Sequence, residues 1–559
     1  MDSKSNHLIH IALLLALAST NLRAEEQPRA KFDYESITLP NGLQVISLED
    51  FSCPIVAIHL WYHVGSKDEN PERQGFAHMF EHMMFRGTDR LGSTDHFDLI
   101  RKTGGTCNAY TTFDQTVYTQ TLPANQLNLA LWLEAERMSM LKIDQKSFDT
   151  ERKVVEEERR MGVNQPYGKL MEKVLPIIFP DHPYSWSTIG SIPHLRSASV
   201  PELREFWTKY YVPNNATLVV VGAVKHGEVQ QLAKRNFGWI PRGPEPDRVK
   251  MPTTDPLEGR KVTIKEKNAP APLLGLLFRG VPLSHPDAEA LDLMATIAGG
   301  GESSRIYRRV VADEQSAVMA LGANMGIEQN GAVLFGAILP PLGGKPSKVI
   351  DAMKEELARM QTEPVTDEEL TKARNQMLRS IVTESLTVES KASALGQAAV
   401  LEGDVSRINS RLERIRSVTP EDIMRVAKKY TNLDNAVVGQ VKPNLMGTIG
   451  GLLGMNKKSV EDIPITGVAE TNPPPPGRPG VSRPDDRVAD SPVAGLLKHT
   501  PSLDFQEATL DNGMKVVVVE NHEVPFVSVT MGIQTGAYTE TKPGTASTAF
   551  SMLTKGTDK

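Results

Sequence analysis

Apolar and polar positions change rhythm several times along the first third of the chain. ESITLPNGLQVISLED, from Glu35 to Asp50, is two β-rich runs around Asn41-Gly42, a pairing that favours a tight hairpin. PIVAIHLWYHVGS follows as a third run. Gly75 to Phe85 has few β-branched residues and suits a helix, whereas CNAYTTFDQTVYTQTLP, after Gly104-Gly105, is strand-like again. NQLNLALWLEAERMSM, from Asn125, spaces its apolar residues at close to 3.6, and KSFDTERKVVEEERRMGV is a second, highly charged helix. Strands that precede helices, without strict alternation, predict an α+β fold: mostly antiparallel sheets with helices packed on one face.

The pattern repeats at two scales. SVPELREFWTKYYVPNNATLVVVGAV, from Ser199, parallels SVTPEDIMRVAKKYTNLDNAVVGQV, from Ser417: a helix, a tyrosine, a turn with Asn-Ala and an apolar strand. This divides the region into two related subdomains, 25–242 and 243–444. DYESITLPNGLQVISLED, from Asp33, aligns without gaps to DFQEATLDNGMKVVVVEN, from Asp504. After a two-residue shortening, GFAHMFEHMMFRGTD aligns to GTASTAFSMLTKGTD, from Gly544. Residues 504–559 therefore read as the start of a further repeat. Between them, 445–503 contains NPPPPGRPGVSRPDDRVADSP, a Pro/Gly-rich composition that predicts an extended, semi-rigid linker.

Composition narrows the class. At 559 residues, with 40% apolar and 23% charged positions, the chain has material for several globular cores. A net charge of -6 without a basic cluster gives no footprint for nucleic acid. At the N-terminus one lysine precedes an apolar run from Leu8 to Ala18 and small or polar residues up to Ala24. That layout predicts a signal peptide over 1–24 and an exported chain, periplasmic or secreted. No later apolar run approaches the ~18 residues of a membrane span, so none is expected in the mature chain. Cys53 and Cys107 stand in no metal-ligand spacing.

The candidate chemistry lies in GFAHMFEHMMFRGTD, from Gly75 to Asp89. On a helix, His78 and His82 project from one face a turn apart and can reach one ion, with Glu81 beside them. The H-x-x-E-H order is the inverted form of a zinc-hydrolase signature. A hydrolytic zinc also needs a third protein ligand. ERKVVEEE offers Glu151 and Glu158, two turns apart on one helix face, with Glu156 and Glu157 displaced around it.

These segments resemble the pitrilysin (insulinase) family of metallopeptidases. The resemblance extends through GSKDENPERQGFAHMFEHMMFRGT, GGTCNAYTTFDQTVY, HPYSWSTIG, YYVPNNATLVVVG and GGGESSRIYRRVV, and so covers most of the chain. It implies repeated subdomains of the mitochondrial-processing-peptidase type and one Zn²⁺ ion. It places the third ligand about 75 residues past the motif, at the end of an E-R-x-x-x-x-x-E segment. That selects Glu158 as ligand, with His78 and His82, and leaves Glu151 as a supporting acid. Glu81 would activate a zinc-bound water, and Asn108 and Ala109 would lie on a sheet edge that pairs with a peptide or unfolded polypeptide substrate. The later repeat has Ser547, Phe550 and Ser551 in place of His78, Glu81 and His82, so it is expected to bind no zinc. A competing reading is a non-catalytic assembly subunit of the same fold, or an incomplete enzyme needing a partner half.

Other candidates are set aside. His59 and His63 fall on a strand, where four residues span about 13 Å, too far to share one zinc. AGGGESSRIYRR lacks the Lys-Ser/Thr ending of a P-loop, His182 sits in a proline-rich loop, and Ser303 and Ser304 have no signature of an activated nucleophile.

Overall fold

The hairpin at Asn41-Gly42 forms. Strand β1 (Tyr34–Thr38) pairs antiparallel with β2 (Gln44–Glu49), and between them Gly42 adopts φ 93°, a left-handed conformation open to glycine. The computed structural model describes residues 32–180, 182–249, 255–443, 463–470, 473–484, 491–495, 504–520 and 527–553. The segment 1–24, read as a signal peptide, lies outside them.

β3 (Ile55–Tyr62), β4 (Thr106–Thr111), β5 (Thr116–Pro123) and β6 (Ala216–Gly222) complete a six-stranded sheet in the order β1-β2-β6-β3-β5-β4. All its pairings are antiparallel except β2 with β6. A five-stranded sheet follows from β7 (Arg260–Glu266), β8 (Leu273–Arg279), β9 (Met319–Gly326), β10 (Gly331–Ile338) and β11 (Val437–Pro443), in the order β7-β11-β8-β10-β9. Its one parallel pair is β7 with β11. Setting β1 aside, the two sheets have the same order and the same strand directions, and β6 and β11 are the strands that end the internal repeat.

Helices cover one face of the first sheet. They are α1 (Phe76–Met83), α2 (Leu127–Met140), α3 (Gln145–Asn164) and α5 (Val200–Tyr210); α4 (Leu170–Ile178) lies between α3 and α5 in sequence. Ile58, Leu60, Tyr118, Leu218 and Val220 of the strands share this core with Phe80, Leu131, Phe148 and Trp207 of the helices. In the second sheet α6 (Ala288–Gly299), α7 (Pro346–Thr362) and α9 (Pro420–Tyr430) do the same, around Leu274, Leu276, Val333 and Phe335.

The sequence pattern did not anticipate the second cover. α8 (Val388–Val400), from the second subdomain, packs over β3 and β6 on the other face of the first sheet, where Val388, Ala392 and Leu395 join Ala57, Trp61, Val117, Val219 and Val221. Gly396 permits that approach, since a Cβ there would lie 2.1 Å from the Trp61 ring. In return, Leu175 and Ile178 of α4 pack against Leu277, Ala332 and Val437 of the second sheet. Each sheet is closed by a helix from the other subdomain. This exchange explains why β3 and β6 are apolar on both faces where one-sided packing calls for alternation.

The described residues of the Pro/Gly-rich segment form no helix or strand, and they are not a free spacer. Its described residues run along the first subdomain. Arg478 is buried, with its guanidinium 4.0 Å from the Trp207 ring, and donates to the carbonyls of Met138 at 3.0 Å, Thr208 at 3.3 Å and Tyr211. These carbonyls belong to the ends of α2 and α5, where a cation also meets the favourable pole of each helix. Arg483 pairs with Asp89 and Glu136, Glu470 pairs with Arg204 at 3.0 Å, and Gln126 exchanges two hydrogen bonds with Ala494. A chain that cannot bond to itself has here found partners in the ends and side chains of folded helices.

The later repeat contains a hairpin, β12 (Gln506–Thr509) with β13 (Lys515–Val518), and the helix α10 (Thr545–Leu553). No residue of α10 is buried. Among the described residues no helix is long and apolar enough to cross a membrane.

Candidate metal centre

The motif GFAHMFEHM becomes α1 because its chain enters through a left-handed glycine and finds a ready cap. Gly75 has φ 102°. The Glu69 carboxylate accepts from the Gly75 and Ala77 N–H groups, each at 2.9 Å, and from Trp186 Nε1 at 3.3 Å. Two of the helix's unpaired N-terminal amides are satisfied this way, by side-chain oxygens at the start of the helix. Burial raises Glu69 to about 8, while the same three N–H donors pull it down.

The apolar side of α1 faces the core. Phe80 stacks on Phe206 at 5.7 Å, Tyr118 donates to the Phe80 carbonyl at 3.1 Å, and Phe76, Met79 and Met83 are buried. The remaining face carries His78, Glu81 and His82 toward α3. That helix starts at Asp144, whose side chain accepts from the Ser147 N–H at 2.8 Å, and it presents Glu151 and Glu158 to the histidines.

The structure brings five of the seven expected site residues together. His78 Nε2 lies 3.6 Å and His82 Nε2 3.5 Å from Glu158 Oε2. One ligand atom from each of the three residues falls within 4.8 Å of the others. A tetrahedral zinc with bonds of about 2.0–2.1 Å requires ligand atoms about 3.4 Å apart, and both histidine nitrogens stand close to that distance from Glu158. Two neutral imidazoles and a carboxylate also match zinc's ligand preference. Burial, helped by His82, lowers His78 to about 4, so the ring is neutral near pH 7 and one nitrogen keeps its lone pair for a metal. Among the described residues no other group of His, Cys, Asp and Glu converges in this way.

Glu151 supports His82. It is almost fully buried, and one oxygen sits 3.1 Å from His82 Nδ1, which leaves Nε2 turned to Glu158. Its other oxygen pairs with Arg86. Burial lowers His82, but Glu151, Glu81 and Glu158 outweigh it and bring the group up. Glu81 is held by the Thr111 hydroxyl, which donates to Oε2 at 2.7 Å; burial raises its carboxyl against that hydrogen bond. Glu156 and Glu157 point elsewhere, pairing with Arg196 and Arg160.

Asn108 and Ala109 lie outside this cluster, on β4, the edge strand of the first sheet. Thr111 closes the same strand, so the edge and Glu81 are joined through one hydroxyl. Of the histidines set aside, His59 is buried on β3 and His63 pairs with Glu328 at 2.8 Å. His182 accepts from the Tyr184 N–H at 3.1 Å, a local turn contact. Both cysteines are free thiols.

Sequence reasoning missed Glu69, Arg86 and Thr111. For Glu69 a signal existed: the later repeat keeps a glutamate, Glu540, at the aligned position.

Comparison with known proteins matches two sequence profiles in succession along the chain. Residues 44–191 match the sequence profile described as insulinase (peptidase family M16), and 197–377 match the one described as the peptidase M16 inactive domain. The chain belongs to the M16 family. Its relatives include the zinc protease PqqE of Helicobacter pylori, 28% identical over 420 residues, covering 73% of this chain and 93% of that protein. A zinc protease of Mycobacterium leprae is 28% identical over 399 residues, 71% of this chain and 88% of that one. The crystal structure of a protease from Helicobacter pylori has a TM-score of 0.69 at 27% identity, over 74% of this chain and all of that one. An M16 inactive-domain structure from Pseudomonas fluorescens has a TM-score of 0.67 at 16% identity, a likeness of fold alone. The metal cluster falls wholly in the insulinase match, and the inactive-domain match contributes none of its ligand atoms.

Proposed function

We propose that this M16 chain is an exported zinc-dependent metalloendopeptidase that cleaves peptides or unfolded polypeptide segments. The observation that carries the reading is the convergence of His78, His82 and Glu158 at zinc-ligand spacing, with Glu81 one turn away on the same helix. A zinc ion bound there supplies Lewis acidity toward water and the scissile carbonyl. Glu81 then takes a proton from the attacking water and returns it to the leaving amine. Thr111 holds the carboxyl for both transfers. Glu151 fixes the ring plane and tautomer of His82 by accepting from Nδ1. The outer edge of β4, at Asn108 and Ala109, offers main-chain hydrogen bonds to an extended substrate and so asks little of its sequence.

Glu81→Gln is expected to retain stoichiometric zinc by elemental analysis and to lose cleavage of a quenched peptide by a factor on the order of 10²–10⁴. Retained turnover in the zinc-replete variant would refute the assignment of the base.

A second reading concerns assembly. Val517, Met531 and Met552 of the later repeat are 57%, 74% and 61% exposed, which favours coverage by a second peptidase-like half or subunit. One relative, from Arabidopsis thaliana, is named a probable mitochondrial-processing peptidase subunit beta, at 26% identity over 73% of this chain. Chelator-sensitive zinc binding without any cleavage by the purified chain would favour the incomplete enzyme or the non-catalytic subunit.

A further inference from the structure

The turn between β9 and β10, residues 327–330, carries a carboxylate of the second subdomain into the first. Glu328 Oε2 pairs with His63 Nε2 at 2.8 Å and with Lys67, whose side chain is fully buried. Lys67 Nζ also donates to Asp114 Oδ1 at 3.1 Å, and the Tyr184 hydroxyl donates to the same oxygen at 2.5 Å. The backbone closes the cluster: the Glu328 N–H donates to Asp114 Oδ2 at 3.1 Å, and the Gln329 N–H to the Tyr184 hydroxyl at 3.3 Å. Burial would raise Glu328, but His63 and Lys67 bring it down to about 2, and Asp114, Asp68 and Glu328 together keep Lys67 protonated against its burial.

Lys67 and Asp114 stand on the two segments that set the metal centre. Lys67 belongs to the turn that delivers Glu69, the cap of α1. Asp114 lies three residues past Thr111, the residue that holds Glu81. The two segments meet backbone to backbone: the Ser66 N–H donates to the Thr112 carbonyl at 3.1 Å and the Lys67 N–H to the Phe113 carbonyl at 3.0 Å. A Cβ on Gly65 would lie 2.4 Å from the Phe113 carbonyl carbon, so there is no slack between them.

We infer that Glu328 is a positioning residue for the peptidase site: the second subdomain clamps the lead-in of α1 to the end of β4, and so sets Glu81 and the peptide-binding edge relative to each other. The inference rests on the proposed role of Glu81. Without Glu328 the buried Lys67 keeps Asp114 at 3.1 Å but loses the partner that the second subdomain supplies, so the cost falls on the tie between that subdomain and both segments. A substitution at Glu328 should then slow the chemical step without removing zinc, since no metal ligand touches the cluster.

The test uses the full chain with Glu328→Ala, Glu328→Gln, Thr111→Val and Thr111→Val/Glu328→Ala. Zinc content, melting temperature, kcat and KM on a quenched peptide are measured with and without chelator. Expected are chelator-sensitive cleavage by the unmodified chain, full zinc in every variant, and kcat lowered on the order of tenfold by Glu328→Ala. Because both side chains act on Glu81, the double variant should lose about as much as the worse single variant. A folded, zinc-loaded Glu328→Ala with unchanged kcat would overturn the proposal, as would multiplicative losses in the double variant. If Glu328→Ala does not fold, Glu328→Gln carries the same test, because it keeps the shape and removes only the charge. A chain that binds zinc and cleaves nothing when unmodified would sink the reading of Glu81, and this inference with it.

Discussion

Two copies of one structural idea occur in this chain, the helix α1 with its lead-in and the helix α10 with its own. Both are entered through a left-handed glycine, Gly75 at φ 102° and Gly544 at φ 89°. Both are capped by a glutamate on an N-terminal pair of amides. Glu540 accepts from Gly544 at 2.8 Å and Ala546 at 2.6 Å, as Glu69 does from Gly75 and Ala77. Both caps follow a short turn closed on a glycine N–H, by Asp68 Oδ2 at 3.0 Å and by Thr539 Oγ1 at 3.2 Å. What differs is the helix face: His78, Glu81 and His82 in one, Ser547, Phe550 and Ser551 in the other. The scaffold and the chemistry are therefore separable. Glu69, buried and strongly perturbed, belongs to the scaffold, because its counterpart persists where no metal ligands remain.

The widest test makes α1 resemble α10. His78→Ser/His82→Ser should abolish zinc binding and lower cleavage by on the order of 10³-fold or more, while circular dichroism and the melting temperature of the zinc-free protein stay close to those of the unmodified apo chain. A collapse of the fold would show that the histidines also carry structure. Next in size, Glu151→Gln should weaken zinc about 10–100-fold in a competitive chelator titration, since His82 would lose its orienting carboxylate. The scaffold itself is tested by Glu69→Ala. It leaves the Gly75 and Ala77 amides without their side-chain acceptor, while Trp186 keeps the Ser66 carbonyl at 3.0 Å, and should cost about 1–3 kcal/mol by denaturant titration, whereas Glu540→Ala, beside an exposed helix, should cost under about 1 kcal/mol.

A separate effect is one of pH and lies on the opposite face of the first sheet. Burial lowers His59 to about 4, and neither ring nitrogen has a hydrogen-bond partner. A histidine whose folded pKa lies below its unfolded value of about 6.5 gives stability that is complete above that value and is lost as pH falls toward 4. His59→Leu should flatten the decline in melting temperature between pH 6.5 and 4. An unchanged slope would place the acid sensitivity elsewhere.

The metal helix was legible because its chemistry is local: His78, Glu81 and His82 are set by helical spacing, and Glu151 and Glu158 by a second helix two turns long in its useful part. That β4 is a strand followed from its pattern, and its edge position from the resemblance alone. What escaped were pairings between distant segments. Arg86 meets Glu151 across 65 residues, α8 reaches back to cover β3 and β6, and Glu328 reaches Lys67 across 261 residues. No periodicity encodes such contacts; they arise when two sheets, each with one face left over, close on helices from the other. The Pro/Gly-rich segment misled for a related reason. Its composition excludes self-made structure but is silent about docking on something already folded, where Arg478 finds three carbonyls at once.

That docking has a consequence for the order of events during synthesis. The first subdomain draws its cover from residues 388–400, within the second subdomain, and its seal over Trp207 from Arg478, so the cover leaves the ribosome late and the seal only after the whole second subdomain has emerged. A nascent chain stopped at residue 242 would hold His78, Glu81, His82 and Glu158, yet expose the apolar face of β3 and β6 and leave the ends of α2 and α5 open. The part that carries the candidate metal site comes first in the sequence and is covered late.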